Sequence, residues 1–290
     1  MIRFALFLHC FVLALAVSLG AAPALADSLP AAANRTLVPS PNPGPTYADL
    51  VDLADGAPLV VRAQVRKAVA LDAARARGVR PGWIRAYVEA RTEALIGGSR
   101  PLGEKLVYLV DVRADAKGRL PKLGKQSVIL FARDVSGRPG ELQLIAPDAQ
   151  LPWSAPLEAQ VKGVLGELFA ADAPQRITGV REALHVSGTL AGEGETQLFL
   201  TSANGEPAAL TVSRQPGQAP QFSASFSELV GAAGGLPQRG TLAWYRLACF
   251  LPGQLPARAN IADAVEDRAA AALDYAAVIE QLGACPRSRR

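Results

Sequence analysis

The sequence predicts a β-rich α+β protein: a small N-terminal barrel, then a second module of antiparallel strands with a C-terminal helix. Three observations predict it. Short runs of alternating apolar and polar residues, separated by Gly, Pro and Asn-Gly turns, recur through 59–146 and again through 197–226. Extended helical periodicity is confined to the stretches after Ser154 and after Asn260. The charge also changes sign along the chain. Residues 59–140 carry seventeen basic and seven acidic side chains, a surplus of +10, whereas residues 141–290 carry eleven and fifteen, a balance of −4.

The opening residues read as a secretory signal peptide over 1–26. Arg3 is the only charge before Asp27, residues 4–20 are almost continuously apolar, and Ala24-Leu25-Ala26 follows Pro23 as a small-x-small cleavage site. An uncleaved membrane anchor is the alternative. After cleavage no later apolar run is long enough for a transmembrane span. The expected address is therefore periplasmic or secreted. Cys10 leaves with the leader, and the pair that stays, Cys249 and Cys285, suits a disulfide in an oxidising compartment. Such a loop closure would stabilise the fold by about 4 kcal/mol in the chain-entropy account. Two separate buried thiols are the alternative.

Residues 27–45 read as a Pro-rich, disordered spacer, with Pro39, Pro41, Pro43 and Pro45 favouring polyproline II. Thr46 with Asp49 three residues on makes a capping box for a short helix bearing Leu50, Val51 and Leu53. The basic β module, 46–153, then begins. In 59–71, Val61, Ala63, Val65, Ala68 and Ala70 alternate with Arg62, Gln64, Arg66 and Lys67. Arg80-Pro81-Gly82 turns the chain. Residues 83–96 fit a strand better than a helix because of Thr92, the aromatics and the close at Gly97-Gly98. Further strands are expected at 106–112, 127–132 and 141–146. Five strands and a closing helix suggest an OB-like barrel, of the oligonucleotide/oligosaccharide-binding type, which carries no function by itself.

The acidic α+β module, 154–290, opens on a helix from Ser154 with Leu157, Val161, Val164, Leu165, Leu168 and Phe169 on its apolar side. Residues 197–201 and 209–213 flank Asn204-Gly205, the strongest hairpin signal in the chain. Residues 222–226 alternate as well. Residues 241–251 are apolar apart from Arg246 and fit a buried strand or a buried helix. Asn260 is expected to cap a final helix with Ile261, Val265, Ala272, Ala276, Ile279 and Leu282 inside, ended by Gly283. Arg287, Ser288, Arg289 and Arg290 read as a frayed, charged end.

Two stretches, Gly194-Glu195-Thr196-Gln197-Leu198-Phe199-Leu200 and Trp244-Tyr245-Arg246-Leu247-Ala248-Cys249-Phe250, resemble uncharacterised exported proteins of alphaproteobacteria. The resemblance spans residues 47–285 and implies no activity.

Chemistry is constrained first by what is missing. His9 leaves with the leader, so His185 is the sole histidine of the mature chain. Glu182, Glu193 and Glu195 lie near it in sequence, but no Gly-x-Ser-x-Gly elbow accompanies them. His185, Glu182 and Glu195 are thus weak catalytic candidates, and a strand histidine with ordinary hydrogen bonds is the favoured reading. One histidine and two distant cysteines do not make a zinc set, and Gly192-Glu193-Gly194-Glu195 lacks EF-hand spacing. No P-loop or dinucleotide fingerprint occurs. No metal and no cofactor are expected.

The most suggestive group is Trp83, Arg85, Tyr87 and Arg91. On a strand they share one parity and would present aromatic and cationic groups on one face, suited to sugars and anions. The plain alternative is an outer face mixing packed aromatics with solvated charge. The expected function is a non-catalytic periplasmic binding or interaction protein. Its expected partner is an anionic lipid, a lipopolysaccharide, a polysaccharide or an acidic protein, and no nucleic acid. An envelope hydrolase using His185 or a carboxylate pair is the alternative. A third option is an assembly component that docks through 241–251.

Overall fold

A computed structural model describes residues 44–72, 74–227 and 234–289. The expected leader and the spacer up to residue 43 lie outside the described residues. Helix α1, Tyr47–Asp55, starts at the capping box: Thr46 Oγ1 accepts from Asp49 N (3.1 Å), and Thr46 N donates to Asp49 Oδ2 (2.8 Å). Leu50, Val51, Leu53 and Ala54 are buried beneath it.

Strands β1 (Leu59–Ala70), β2 (Trp83–Gly97), β3 (Lys105–Arg113), β4 (Ser127–Asp134) and β5 (Glu141–Leu144) close into a five-stranded barrel in the order β1-β2-β3-β5-β4-β1. Every pairing in that ring is antiparallel except β3 with β5. A short β6, Gln150–Pro152, adds to β4. This is the OB-like architecture that the alternation predicts. The inward residues of β2, Ala86, Val88 and Ala90, are buried, and Phe131 is fully enclosed on β4. In β1 the apolar parity changes between Val65 and Ala68, and the β1–β2 register shifts between Val65 and Lys67. A one-residue slip exchanges faces, so a bulge is what that change of parity encodes.

Gly140 makes the parallel contact possible. Its φ is +80°, and a Cβ there would sit 2.7 Å from the Lys105 carbonyl oxygen. Without one, the chain comes close enough for Val107 N to donate to Gly140 O (2.8 Å).

Helix α2, Ala155–Leu168, follows its Ser154 cap and buries Leu157, Val161, Val164 and Leu165. Phe169 lies beyond the helix and is exposed, so it does not join that apolar side. Strands β7 (Ile177–Ser187), β8 (Gly194–Ser202), β9 (Ala208–Arg214) and β10 (Gln221–Ser225) form a second, wholly antiparallel sheet, with the Asn204-Gly205 turn between β8 and β9. Residues 241–251 resolve as helix α3, Leu242–Ala248, capped by Thr241, whose Oγ1 accepts from Trp244 N (3.2 Å). Leu242, Trp244, Tyr245 and Leu247 are all buried, which is why no polar face marked its period. Its single charge, Arg246, is buried against Asp55 of α1 (3.1 Å).

Two expectations about the last helix are corrected. Asn260 does not cap it. Residues 257–259 form a 3₁₀ turn, Asn260 bridges Ala183 of β7, and Ile261 N donates to Ala183 O (3.0 Å). The segment runs along the edge of β7, so helix α4 begins only at Val265 and ends at Leu282 before Gly283. Its buried side is Ala271, Asp274, Tyr275, Val278 and Leu282, whereas Val265, Ala272 and Ala276 are exposed. A carboxylate on the buried side displaced the apparent stripe.

Cys249 and Cys285 are disulfide-bonded, which ties the end of α3 to the residues after α4. Buried residues from both sheets and all four helices belong to one apolar cluster. Among the described residues no helix is long and apolar enough to cross a membrane.

The stretch 287–289 is docked rather than frayed. Arg287 donates to both oxygens of Asp52 (2.6 and 3.2 Å). Ser288 donates from N and Oγ to Asp49 Oδ2 (2.9 and 2.6 Å), and Arg289 donates to Asp148 Oδ1 (2.8 Å). Burial pushes the Asp49 carboxyl up, but the donors from Ser288 and Thr46 outweigh it and hold it below its ordinary value. Charge complementarity between three aspartates and two arginines orders this segment.

Candidate functional site

The β2–β3 ladder sets the outer face of the barrel. Its register pairs Trp83 with Arg113, Arg85 with Asp111, Tyr87 with Leu109, Glu89 with Val107 and Arg91 with Lys105. Strand β1 adds Val69 beside Tyr87. Trp83, Arg85, Tyr87 and Arg91 therefore stand on one face, as their parity requires, but their situations differ.

Trp83 is already stacked. The Arg80 guanidinium carbon lies 4.0 Å from the ring centroid and that of Arg113 5.5 Å. Arg85 is clamped by Asp111 through two parallel bonds of 2.7 and 2.8 Å, and Asp111 is itself buried. The Asp111 hydrogen bonds hold the Arg85 guanidinium above its ordinary value. Its charge is neutralised locally, so it serves as a strut under the 71–82 loop, where it also donates to Arg77 O (3.3 Å). Tyr87 stays open at 39 % exposure, between Val69 and Leu109, each at 47 %. Those three make an apolar row across three strands. Arg91 is exposed, faces Lys105 directly, and has no acidic partner among the described residues. Like charges placed opposite each other on a sheet are unfavourable without a counter-ion.

Beside this row a groove of about 720 Å³ opens between β3 and β5. Its cause is topological. The parallel seam is only two residue pairs long, Val107 with Glu141 and Tyr108 with Leu142. Beyond it the strands separate until Asp111 N meets Pro147 O (2.7 Å). Tyr87, Leu109, Val135, Ile145 and Pro147 line the gap, with the Arg85–Asp111 pair at one end. The β1–β2 loop, 71–82, brings Arg75 and Arg77 to the same barrel, and the 135–140 loop brings Arg138. In OB folds the strand 2–3 face and these two loops are where ligands lie.

His185 sits elsewhere, buried between β7, β8 and α4. Thr196 has one hydroxyl proton and gives it to Asp274 Oδ2 (2.5 Å). Its oxygen then accepts from His185 Nδ1 (2.8 Å), with Asp274 Oδ2 3.6 Å from the ring nitrogen. Arg214 donates to the other Asp274 oxygen. Gly194 leaves room for the imidazole, since a Cβ there would lie 2.8 Å from Cε1 and Nε2. Thr196 and Asp274 are fully enclosed, so the cluster joins the last helix to the sheet.

The carboxylates expected beside His185 are engaged elsewhere. Glu182 faces Arg181 (3.8 Å), Glu195 accepts from Gln197 (2.8 Å), and Glu193 accepts from Thr189 N and Leu190 N (3.1 Å each). Thr196, Asp274 and Arg214 are remote from one another along the chain, so no local pattern marks them as a cluster. Val69 and Leu109 are signalled only by the alternation of their strands. Among the described residues no group of three or more His, Cys, Asp or Glu is placed to hold a metal ion.

Compared with known proteins, the chain matches no family model and no curated sequence.

Proposed function

We propose that this chain is an exported, non-catalytic binding protein that takes an anionic envelope component on the β2–β3 face of its OB-like barrel. One observation carries the reading. The face sets an open apolar row, Val69, Tyr87 and Leu109, one rung away from a cationic pair, Arg91 and Lys105, that makes no ion pair among the described residues; the acid on the rung between, Glu89, is paired with Lys67 (3.5 Å). Apolar contact with adjacent positive charge suits a ligand that is anionic and only partly polar. Export is supported by the leader pattern of residues 1–26 and by the disulfide between Cys249 and Cys285.

The test is cosedimentation of the protein with anionic vesicles, lipopolysaccharide and an acidic polysaccharide at low and high salt. Binding to at least one is expected, weakening as salt rises. Tyr87→Ala combined with Lys105→Glu is expected to weaken it about tenfold or more, equivalent to about 1.4 kcal/mol. Wild-type protein that pellets with none of the three at low salt refutes the proposal. Arg85→Glu is a poor probe, because it would place a second carboxylate against buried Asp111.

A further inference from the structure

Toward the far end of β2 a separate recess of about 400 Å³ is lined by Arg62, Arg91, Thr92, Glu93, Ser127 and Trp153. Its geometry follows from register. Strand β1 lies between β2 and β4, pairing Gln64 with Arg91 on one side and with Ser127 on the other. Trp153 is fixed just after β6, with N donating to Ser127 O (3.0 Å) and Nε1 to Glu158 Oε2 (2.6 Å). Although both its N–H groups are used, the residue remains 38 % exposed.

The polar groups here are unevenly satisfied. Arg62 Nη1 donates to Glu158 (2.8 Å), and its guanidinium carbon lies 5.2 Å from the Trp153 ring centroid. Its Nε is buried and makes no hydrogen bond, the nearby Glu93 Oε2 being 3.5 Å away. That Nε has no accessible surface, so Arg62 shapes the wall behind Trp153 rather than meeting a ligand. Arg91, on the recess wall, lacks an acidic partner among the described residues. Arg62 is answered by Glu158 and Glu93, so the recess offers the Arg91 guanidinium to an anion, an indole surface to an apolar ring face, and Glu93 and Ser127 to hydroxyls.

The geometry points to one acidic sugar residue as the occupant, its carboxylate at Arg91, its ring against Trp153, and its hydroxyls on Glu93 and Ser127. Glu93 decides between anions. A carboxylate in the recess repels a multiply charged phosphate, whereas it accepts hydrogen bonds from sugar hydroxyls. The assignment rests on the reading of the barrel as a binder of anionic envelope material, and it narrows that material to uronic-acid polysaccharide.

The test is titration of the disulfide-bonded protein with tetragalacturonate, with its methyl ester and with inorganic phosphate, followed by calorimetry and tryptophan fluorescence. Tetragalacturonate is expected to bind and perturb the fluorescence, and the ester to bind at least tenfold more weakly. Arg91→Gln and Trp153→Phe are each expected to lose about tenfold in affinity, while Trp83→Phe keeps both the affinity and the fluorescence change. Arg91 is exposed, so Arg91→Gln leaves folding intact. If wild type binds anionic material but Arg91→Gln and Trp153→Phe bind tetragalacturonate as wild type does, this site is refuted and the broader function stands. Phosphate binding as tightly as tetragalacturonate refutes the sugar assignment. Failure of the wild type to bind any anionic vesicle or polymer removes both proposals.

Discussion

In the barrel the charges of β2 and β3 stand outside, whereas in the second sheet the decisive charges stand inside, between strands and helix. On β2, Arg91 faces Lys105 with no described acid to answer them, and Tyr87 lies open between Val69 and Leu109. Under α4, Asp274 is completely buried and every neighbour answers it: Arg214, Thr196 and, through Thr196, His185. The same residue types therefore do different work. A buried network whose members satisfy one another specifies how a helix docks. Exposed charges left without partners are available to something else. That contrast places the binding proposal on the barrel and gives His185 an architectural role.

The strongest challenge to this contrast is Asp274→Ala. It leaves Arg214 and Thr196 facing an emptied, water-poor site, so the expected loss is about 4 kcal/mol. In a domain of this size that is a fall of about 10 °C in Tm, read by circular dichroism. Tyr87→Ala on the barrel face is expected to change stability by no more than about 0.5 kcal/mol. Equal losses from the two variants would erase the distinction between architecture and surface. A smaller effect is expected from deleting residues 287–290. The deletion removes donors from Asp49, Asp52 and Asp148, but water can replace several of them. The expected cost is about 2 kcal/mol, measured as a lower urea midpoint at unchanged slope. An unchanged midpoint would mean that the segment adds nothing to the fold.

The two regions also differ in how far the sequence announces them. The barrel strands have one wet face and one dry face, so alternation located β1 to β5 and placed Trp83, Arg85, Tyr87 and Arg91 together. Even the bulge in β1 is written in the change of parity between Val65 and Ala68. In the second module the pattern is broken where structure is most specific. Register shifts near Gly179 and Arg181 interrupt the alternation of β7. A buried Asp274 takes a position that an apolar stripe would have filled, so Ala272 and Ala276 looked like the inner side of α4. Helix α3 buries Leu242, Trp244, Tyr245, Arg246 and Leu247, leaving no polar face, and only Thr241, as its cap, distinguishes it from a strand. The docking of 287–289 depends on Asp49, Asp52 and Asp148, far away in sequence. Neither the groove nor the recess was legible, because one arises from the shortness of a parallel seam and the other from a Trp just past a three-residue strand.

A smaller loss than either destabilising variant tests a carboxylate on the border between these regimes. Glu158, in the first turn of α2, accepts from Lys162 Nζ, Trp153 Nε1 and Arg62 Nη1 (2.8, 2.6 and 2.8 Å). Those hydrogen bonds, Lys162 first, pull its carboxyl from an ordinary 4.5 down to about 2. A carboxyl depressed by folding adds stability that is fully present above its unfolded value, and that stability disappears as pH falls through the folded value. Glu158→Gln should therefore cost about 1 kcal/mol at pH 7, a figure kept small because Lys162 is largely solvated. The deficit should shrink as pH is lowered from about 4.5 to about 2, the window between the two values. Asp49 and Asp55, also depressed, titrate in both proteins and cancel from the difference. Urea midpoints of the two proteins at pH 7, 4 and 3 give that difference. If the deficit is constant with pH, Glu158 acts through packing alone, and the wall it builds behind Trp153 and Arg62 owes nothing to its charge.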